Sequence, residues 1–516
     1  MALTAVAAAM PAAGQSPASP PFDVMETTIA DVHAAMRAGH LSCHALVQDY
    51  LRRIDAYDKN GPRINAIVLV NPDALATADS LDRRLAQGGF TGPLHCIPVI
   101  VKDNYETKGL QTTAGSLSLA GFVPQQDAFV VRRLKEAGAI VLAKSNMAEF
   151  AFSPYETVSS ILPGYTHNPY ELDRVTAGSS GGTAAAVASD MGEVGLGTDT
   201  GNPIRGPSSH QALVGIRPTM GLTSRAGVVP LNLGADVTGP MARTVADAVA
   251  VLQAIAGPDA GDPATAASRS HVAPDYAASL VRDGLRGARI GVLHQAYDTP
   301  TMDPEIRALF GRAIEELKQA GAVIVDPVGV DSLNAIRRIA NGGCNPFKAQ
   351  LNAYLASRGS QVPVHSLAEV IASRKFHPSI ETRLQGGQGG PDMPDTTAGC
   401  RNLEAMRARL RAAVLDLMNS QHLDAMIYPT WSNPPRLIGD LNTPAGDNNQ
   451  FFSPMTGFPA ITVPMGFVQG GVLPAGLQFF GRAWDEPTLI RLAYSYEQAT
   501  HHRRPPTSTP PLRATQ

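Results

Sequence analysis

The sequence predicts a globular protein of the α/β class, and three observations carry that prediction. Its 516 residues are 44% hydrophobic and 17% charged, which suits a buried sheet wrapped by helices. A helical pattern over residues 129–137 is followed by an apolar, strand-like run at 140–143. A second unit runs from a strand at 289–293 through a helix at 304–319 to a strand at 323–325.

The other predicted elements follow in chain order. Apolar periodicity predicts helices within residues 28–57, with Leu46, Val47 and Tyr50 on one stripe. An alanine-rich helix is predicted over residues 184–189, where small side chains allow close docking on a sheet. Residues 327–422 are predicted to be largely helical, with an interruption at the Gly/Pro stretch 386–394. No internal repeat is visible.

Charge and motif content exclude several classes of function. The formal net charge is −3 and no basic run stands out, so nucleic acid is not an expected partner. Neither a P-loop nor G-x-G-x-x-G occurs, so no nucleotide cofactor is expected. The cysteines have no C-x-x-C spacing and no histidine cluster at ligand intervals, so neither a metal nor another cofactor is expected. Cys96 is predicted to pack as a small apolar side chain.

The two ends of the chain carry separate expectations. The apolar run at residues 2–10 and the Ser/Pro-rich stretch after it are similar to the end of a secretory signal, but a charged leading region is missing. Residues 1–22 are therefore predicted as a disordered tail or a signal-peptide remnant, with export and a cytoplasmic location both open. Residues 506–516 are predicted as a flexible tail. No apolar run reaches 18 residues, so no membrane span is expected.

Three stretches carry candidate chemistry. An apolar, β-branched run ends at Lys102, which predicts a buried strand with the amine at its end, although such a lysine more often reaches solvent. Glycines surround Ser179 and Ser180, which predicts a tight backbone that a substrate can approach, although serine and glycine also cluster in ordinary turns. The third stretch, residues 197–205, reads Gly-Thr-Asp-Thr-Gly-Asn-Pro-Ile-Arg.

In this order the three stretches resemble the amidase signature family, whose members cleave carboxamide C–N bonds with a serine, serine, lysine triad. The resemblance covers residues 27–500 and includes Gly-Phe-Pro-Ala-Ile-Thr-Val-Pro at 457–464. It implies one large αβα domain over residues 23–505, with a mixed central sheet covered by helices. It also implies that the variable, mostly helical region 327–422 lines a substrate funnel.

The resemblance assigns roles to two of these residues. Lys102 matches the catalytic lysine, which works neutral, and burial can lower a lysine's pKa enough for that. Ser179 matches the bridging serine, which relays a proton from the nucleophile to the lysine and follows a cis peptide bond in the family. Ser180, beside it, is expected to support the site.

At the nucleophile the chain departs from the family. Thr200, Gly201 and Asn202 match the oxyanion-hole stretch, where the family usually has glycine at 202; asparagine is among the residues that best tolerate positive φ. Residue 203, which matches the nucleophilic serine, is Pro203. Proline has neither a hydroxyl nor a backbone N–H, so little covalent catalysis is expected.

The neighbours of Pro203 carry further expectations. Ser208 and Ser209 would lie roughly 7 to 9 Å further along a helix, too far to replace the nucleophile. Asp199 and Arg205 either form a structural ion pair, remain solvated or support the site, and the sequence leaves these readings open.

Three functions are compatible with the sequence. The first is an amidase acting on a small-molecule or peptide amide, impaired by Pro203. The second is a non-catalytic relative that binds amides or another protein, and a homodimer is left open. The third is a serine hydrolase using Ser180 in the G-x-S-x-G pattern, which requires a strand just before the turn. The preceding polar residues, which include Pro169, predict no strand there.

Overall fold

A computed structural model of the protein describes residues 22–512. The predictions for residues 1–21 and 513–516 lie outside the described residues. Of the helices in the described range, none combines the length and the apolar character that crossing a bilayer requires.

A mixed sheet of eleven strands forms the centre of the described chain, and helices cover it. The strands are β1 (Ile67–Val70), β2 (Pro98–Lys102), β3 (Ile140–Ser145), β6 (Val194–Asp199), β7 (Val214–Arg217), β8 (Val237–Ala242), β9 (Arg289–Leu293), β10 (Val323–Val328), β11 (Ala425–Pro429), β12 (Ala460–Val468) and β13 (Leu473–Phe480). Their order across the sheet is β1-β3-β2-β6-β8-β7-β12-β13-β11-β9-β10. A separate hairpin pairs β4 (His167–Asn168) with β5 (Glu171–Val175). The predicted fold class is confirmed.

Fifteen α-helices lie in the described range. They are α1 (Ile29–Arg37), α2 (Cys43–Ile54), α3 (Ala74–Gly88), α4 (Phe129–Glu136), α5 (Gly181–Ala188), α6 (Arg205–Ser209), α7 (Val245–Ile255), α8 (Pro304–Gln319), α9 (Leu333–Ile339), α10 (Phe347–Arg358), α11 (Leu367–Ser373), α12 (Glu381–Gln388), α13 (Ala398–Ser420), α14 (Phe452–Thr456) and α15 (Glu486–Thr500). The second predicted β-α-β unit is formed by β9, α8 and β10, with its two strands parallel.

The cysteines differ from the sequence-based expectation. Cys96, predicted only to pack as an apolar side chain, forms a disulfide with Cys43, and Cys344 pairs with Cys400. The partners are 53 and 56 residues apart, so no local spacing reveals them. His95 lies beside Cys43 and Cys96. The sulfurs of both cysteines are engaged in the disulfide, so they are not thiolate ligands for a metal.

The last described residues pack against α2. The Arg53 guanidinium donates to the carbonyls of Thr509 and Pro510, and the Tyr57 hydroxyl also donates to Pro510 O. The part of the predicted C-terminal tail within 506–512 therefore has specific contacts with the body of the protein.

Helix α5 packs closely on the sheet because glycine lies opposite it. All eight residues of α5 are buried. A Cβ on Gly195 of β6 would lie 2.4 Å from Thr183 Cγ2 of the helix. Since α5 follows Ser179 and Ser180 directly, this contact also sets the height of the serine turn above the sheet.

Gly195→Ala is expected to destabilise the protein by about 1–3 kcal/mol, because the added methyl overpacks the contact between α5 and β6. Gly311→Ala is the matched control. Gly311 lies in α8 with no atom within 4 Å of a built Cβ, so alanine there should stabilise by up to about 1 kcal/mol. Denaturant unfolding measures both, and equal effects of the two substitutions would contradict this packing.

Candidate active site

Lys102 is placed by the register of two parallel strands. Strand β2 pairs with β6 in parallel, with Val101 opposite Leu196. The carboxyl ends of parallel strands meet at one edge of a sheet, so Lys102 lies beside the end of β6. Its Nζ is 2.7 Å from Ser179 Oγ and 2.8 Å from Thr198 Oγ1. All three candidate stretches therefore meet directly at this amine.

Burial dominates the electrostatics of the amine. Lys102 is fully buried, and desolvation lowers its pKa from 10.5 to about 7, although the charges of Asp199 and Asp236 raise it in part. Its hydrogen-bond partners are two hydroxyls, Ser179 and Thr198. A substantial fraction of the amine is thus neutral near pH 7 and able to accept a proton from a hydroxyl.

The serine turn joins β5 to α5. The Gly178–Ser179 peptide bond is cis. Gly178 N donates to Pro154 O, and a Cβ on Gly178 would lie 2.4 Å from Glu156 O, so the turn fits tightly against the 153–156 segment. Ser179 Oγ faces Lys102 from this turn.

A strand precedes Ser180, although the polar sequence there predicted none, so that prediction was wrong. Strand β5 ends at Val175, but it pairs with β4 outside the central sheet. Its residues alternate between exposed and half-buried positions, which leaves little apolar pattern to detect. Ser180 Oγ is fully buried and donates to Thr198 O at 3.3 Å. Strand, turn and helix do follow one another here, but away from the central sheet that the elbow requires.

A buried ion cluster anchors the loop from Asp199 to Arg205. The Asp199 carboxylate lies 3.0 Å from Arg205 Nε and 2.8 Å from Arg217 Nη1, and all three side chains are fully buried. Burial raises the pKa of Asp199, but the two guanidinium charges outweigh it and hold that pKa below its usual value. The reading of Asp199 and Arg205 as solvated charges is therefore wrong, and they form an ion pair.

Thr200 and Gly201 are held by contacts on either side of the same loop. The Thr200 hydroxyl donates to Asp236 Oδ1 at 2.5 Å. A Cβ on Gly201 would lie 2.2 Å from Gln450 Oε1. A larger residue at position 201 would displace the exposed Gln450 side chain that covers it.

Asn202 and Pro203 lie beside the serine turn. Asn202 Nδ2 donates to Gly178 O at 3.2 Å, so the loop touches the residue that precedes Ser179. Asn202 is not among the residues with positive φ, so the left-handed conformation expected to favour asparagine is not used. Pro203 is buried in the turn that leads into α6.

Ser208 and Ser209 point toward other strands. A Cβ on Gly215 of β7 would lie 2.6 Å from Ser208 Oγ, and one on Gly476 of β13 would lie 2.7 Å from Ser209 Oγ. Both hydroxyls thus pack against the backbone of the sheet, and neither forms a hydrogen bond with Lys102 or Ser179 within residues 22–512.

Known proteins share this fold over nearly the whole chain. The model of the family described as Amidase matches residues 45–490. A probable amidase of Arabidopsis thaliana is 35% identical, with 96% of this chain and 94% of the relative covered. The chain belongs to the amidase family. The resemblance and the αβα fold that it implied are confirmed.

Two further relatives of this amidase-family chain are close in length. A glutamyl-tRNA(Gln) amidotransferase subunit from Myxococcus xanthus is 36% identical over 92% of this chain and 98% of its own. The solved structure of a peptide amidase from Stenotrophomonas maltophilia has a TM-score of 0.84 and 39% identity, covering 93% of this chain and 98% of that one. The family acts on amides, and the similarity extends over nearly the full length of both relatives.

One cavity of this amidase-family chain borders the site, and a second, larger one lies beyond it and is lined by none of the candidate catalytic residues. The small one borders Asn104, Thr198 and Thr200, next to the Lys102 amine. The larger one, of about 1020 Å³, lies between α10, α13 and the 225–234 segment. The segment 228–233 contributes to the walls of both. The mostly helical region thus borders the larger cavity.

Several residues of the site were missed by the sequence-based analysis. Asn104 Nδ2 donates to Thr198 Oγ1 at 3.0 Å, which orients the hydroxyl that contacts Lys102. Asn449 Nδ2 donates to Asn202 Oδ1 at 3.1 Å from a position 247 residues away. Thr198 lies within the third candidate stretch and Asn104 lies two residues after Lys102, so both could have been included, whereas no local signal indicates Asn449.

The Lys102 amine should make stability depend on pH in a defined window. The unfolded chain keeps this proton up to about pH 10, whereas the folded chain releases it near the lowered pKa of about 7. Stability from this group should therefore rise with pH between these values, by at most about 1.4 kcal/mol per pH unit.

A comparison of the native protein with Lys102→Met isolates the contribution of the Lys102 amine to the pH dependence of stability. The native protein should gain stability relative to the variant between pH 7.5 and pH 9 in denaturant unfolding (~1.4 kcal/mol per unit at most). Lys108→Met, at an exposed lysine of the same segment, controls for the loss of a positive charge. A difference that stays constant across this range would mean that the folded protein keeps an ammonium at position 102.

Proposed function

We propose that this protein is built for carboxamide hydrolysis by serine, serine, lysine acyl-enzyme chemistry, and that Pro203 impairs it. One observation carries the proposal: a buried amine with a pKa near 7 lies 2.7 Å from Ser179 Oγ. A neutral amine next to a hydroxyl is a proton acceptor that can activate a nucleophile through that hydroxyl.

The expected route assigns a role to each element of the site. A hydroxyl at position 203 would attack the amide carbonyl and pass its proton to Ser179, whose own proton goes to Lys102. Backbone N–H groups of Thr200, Gly201 and Asn202 would stabilise the oxyanion. The protonated lysine would then return the proton, through Ser179, to the leaving amine. Water would release the acid from the acyl-enzyme. Pro203 supplies neither the attacking oxygen nor an N–H.

A second candidate function is reversible amide binding without cleavage. The buried contact between Lys102 and Ser179 is present although residue 203 has no nucleophilic hydroxyl. A site that keeps its polar groups without its nucleophile is suited to binding an amide without cleaving it. In both functions the substrate or ligand class is a small-molecule or peptide amide. The larger cavity, about 1020 Å³, is of the size that drug-sized ligands occupy, and it lies beyond the Lys102 site, separated from the small cavity there by a wall that includes residues 228–233. Catalysis by Ser180 is not favoured, because its hydroxyl donates a hydrogen bond to the carbonyl of Thr198 and not to a general base.

Native protein is expected to hydrolyse aryl, alkyl and peptide amides at the no-enzyme rate. Variants with serine in place of Pro203, with and without Asn202→Gly, should gain activity and react with a fluorophosphonate at position 203. Adding Lys102→Ala should remove that gain, because the proton acceptor is lost. Product release and the mass of the labelled peptide provide the measurements.

Ser180→Ala in the native chain is the control for the rival nucleophile. Equal turnover by native protein and the serine-bearing variants would place the nucleophile elsewhere. Native activity lost on Ser180→Ala would identify Ser180 as that nucleophile.

A further inference from the structure

We propose that Asn202 is a second determinant of the lost hydrolysis, fitted together with Gly206, so that Pro203→Ser alone restores only a small part of the activity that Pro203→Ser and Asn202→Gly restore together. This inference rests on the proposed function. Asn202 and Pro203 both differ from the residues usual in the family. The side chain of Asn202 helps to hold the loop in its present conformation.

The Asn202 carboxamide is fully engaged. It is completely buried, and its NH2 group donates to Pro154 O at 3.0 Å and Gly178 O at 3.2 Å. Its oxygen accepts from Asn449 Nδ2 at 3.1 Å. Hydrogen bonds of this kind, made in full burial, are costly to break, so the side chain holds residue 202 in place.

These partners surround the serine turn. Gly178 O belongs to the residue directly before Ser179, and Pro154 O also accepts from Gly178 N. Asn449 Oδ1 in turn accepts from Arg205 Nη1 at 3.2 Å. Asn202 therefore links the serine turn, through Asn449, to the arginine of the buried ion cluster.

Gly206 provides the room for this arrangement. It lies in the first turn of α6, four residues after Asn202, and its N–H donates to Asn202 O at 2.9 Å. A Cβ on residue 206 would lie 2.0 Å from Asn202 Oδ1. A side chain at 206 would collide with the hydrogen-bonded carboxamide of Asn202, so the asparagine in this position requires glycine at 206.

The pairing has a consequence for catalysis. An oxyanion hole needs backbone N–H groups aimed at one point, and a misplacement of about 1 Å can cost roughly 100-fold in rate. While Asn202 keeps its hydrogen bonds to the carbonyls of Gly178 and Pro154, these bonds fix the backbone conformation next to a serine at 203. Glycine at 202 removes these side-chain hydrogen bonds and leaves the backbone free to adjust around a serine at 203.

The test compares native protein, Pro203→Ser, Asn202→Gly and the double variant. The readouts are fluorophosphonate labelling at position 203 and hydrolysis of an aryl amide. The double variant is expected to react about 100-fold faster than Pro203→Ser, and Asn202→Gly alone should stay at the native rate. A double variant no faster than Pro203→Ser overturns the inference. If Pro203→Ser is labelled in that case, the proposed function stands; if neither is labelled, it fails as well.

A stability cycle tests the pairing without relying on activity. Gly206→Ala should lower the melting temperature of the native chain, because the methyl collides with Asn202 Oδ1. In the Asn202→Gly background the same substitution should cost much less, since the collision partner is gone. Equal decreases in melting temperature in the two backgrounds would show that Gly206 is not required by the Asn202 side chain. Circular dichroism confirms that each variant is folded.

Discussion

The burial of the Lys102 amine is the constraint on which the rest of the site depends. A charge in a low-dielectric interior is expensive, so an amine there must be neutral or closely paired. Its hydrogen-bond partners are the hydroxyls of Ser179 and Thr198, which favours the neutral form. The parallel register of β2 and β6 and the close packing of α5 bring these hydroxyls to the amine.

The neighbouring loop is stabilised independently of any nucleophile. Asp199 is held between Arg205 and Arg217, and removing one partner of such a buried set typically costs about 3–5 kcal/mol. Pro203 lies outside this cluster, in the turn before α6, where a missing N–H removes no helical hydrogen bond. The fold therefore tolerates a proline at the one position where the proposed chemistry does not.

Local patterns predicted the elements and motifs that depend on neighbouring residues. The strand ending at Lys102 and the unit of β9, α8 and β10 follow from apolar periodicity, whereas the single αβα domain was implied by the resemblance to the amidase signature family. The hairpin strand β5 was missed because its alternation is polar and half-exposed. The disulfides and the contact between Asn449 and Asn202 join residues far apart in sequence, so only the folded chain shows them. The reason for asparagine at 202 was also wrong, because Gly206 and not positive φ accommodates it.

Direct titration of the Lys102 amine by NMR tests the central claim most directly. Protein labelled with ¹⁵N at lysine Nζ, with Lys102→Met to assign the signal, would report the protonation of this one amine. We expect a titration midpoint near pH 7, as burial beside two hydroxyls predicts. An amine at 102 that stays protonated to about pH 10, the usual lysine range, would contradict the account.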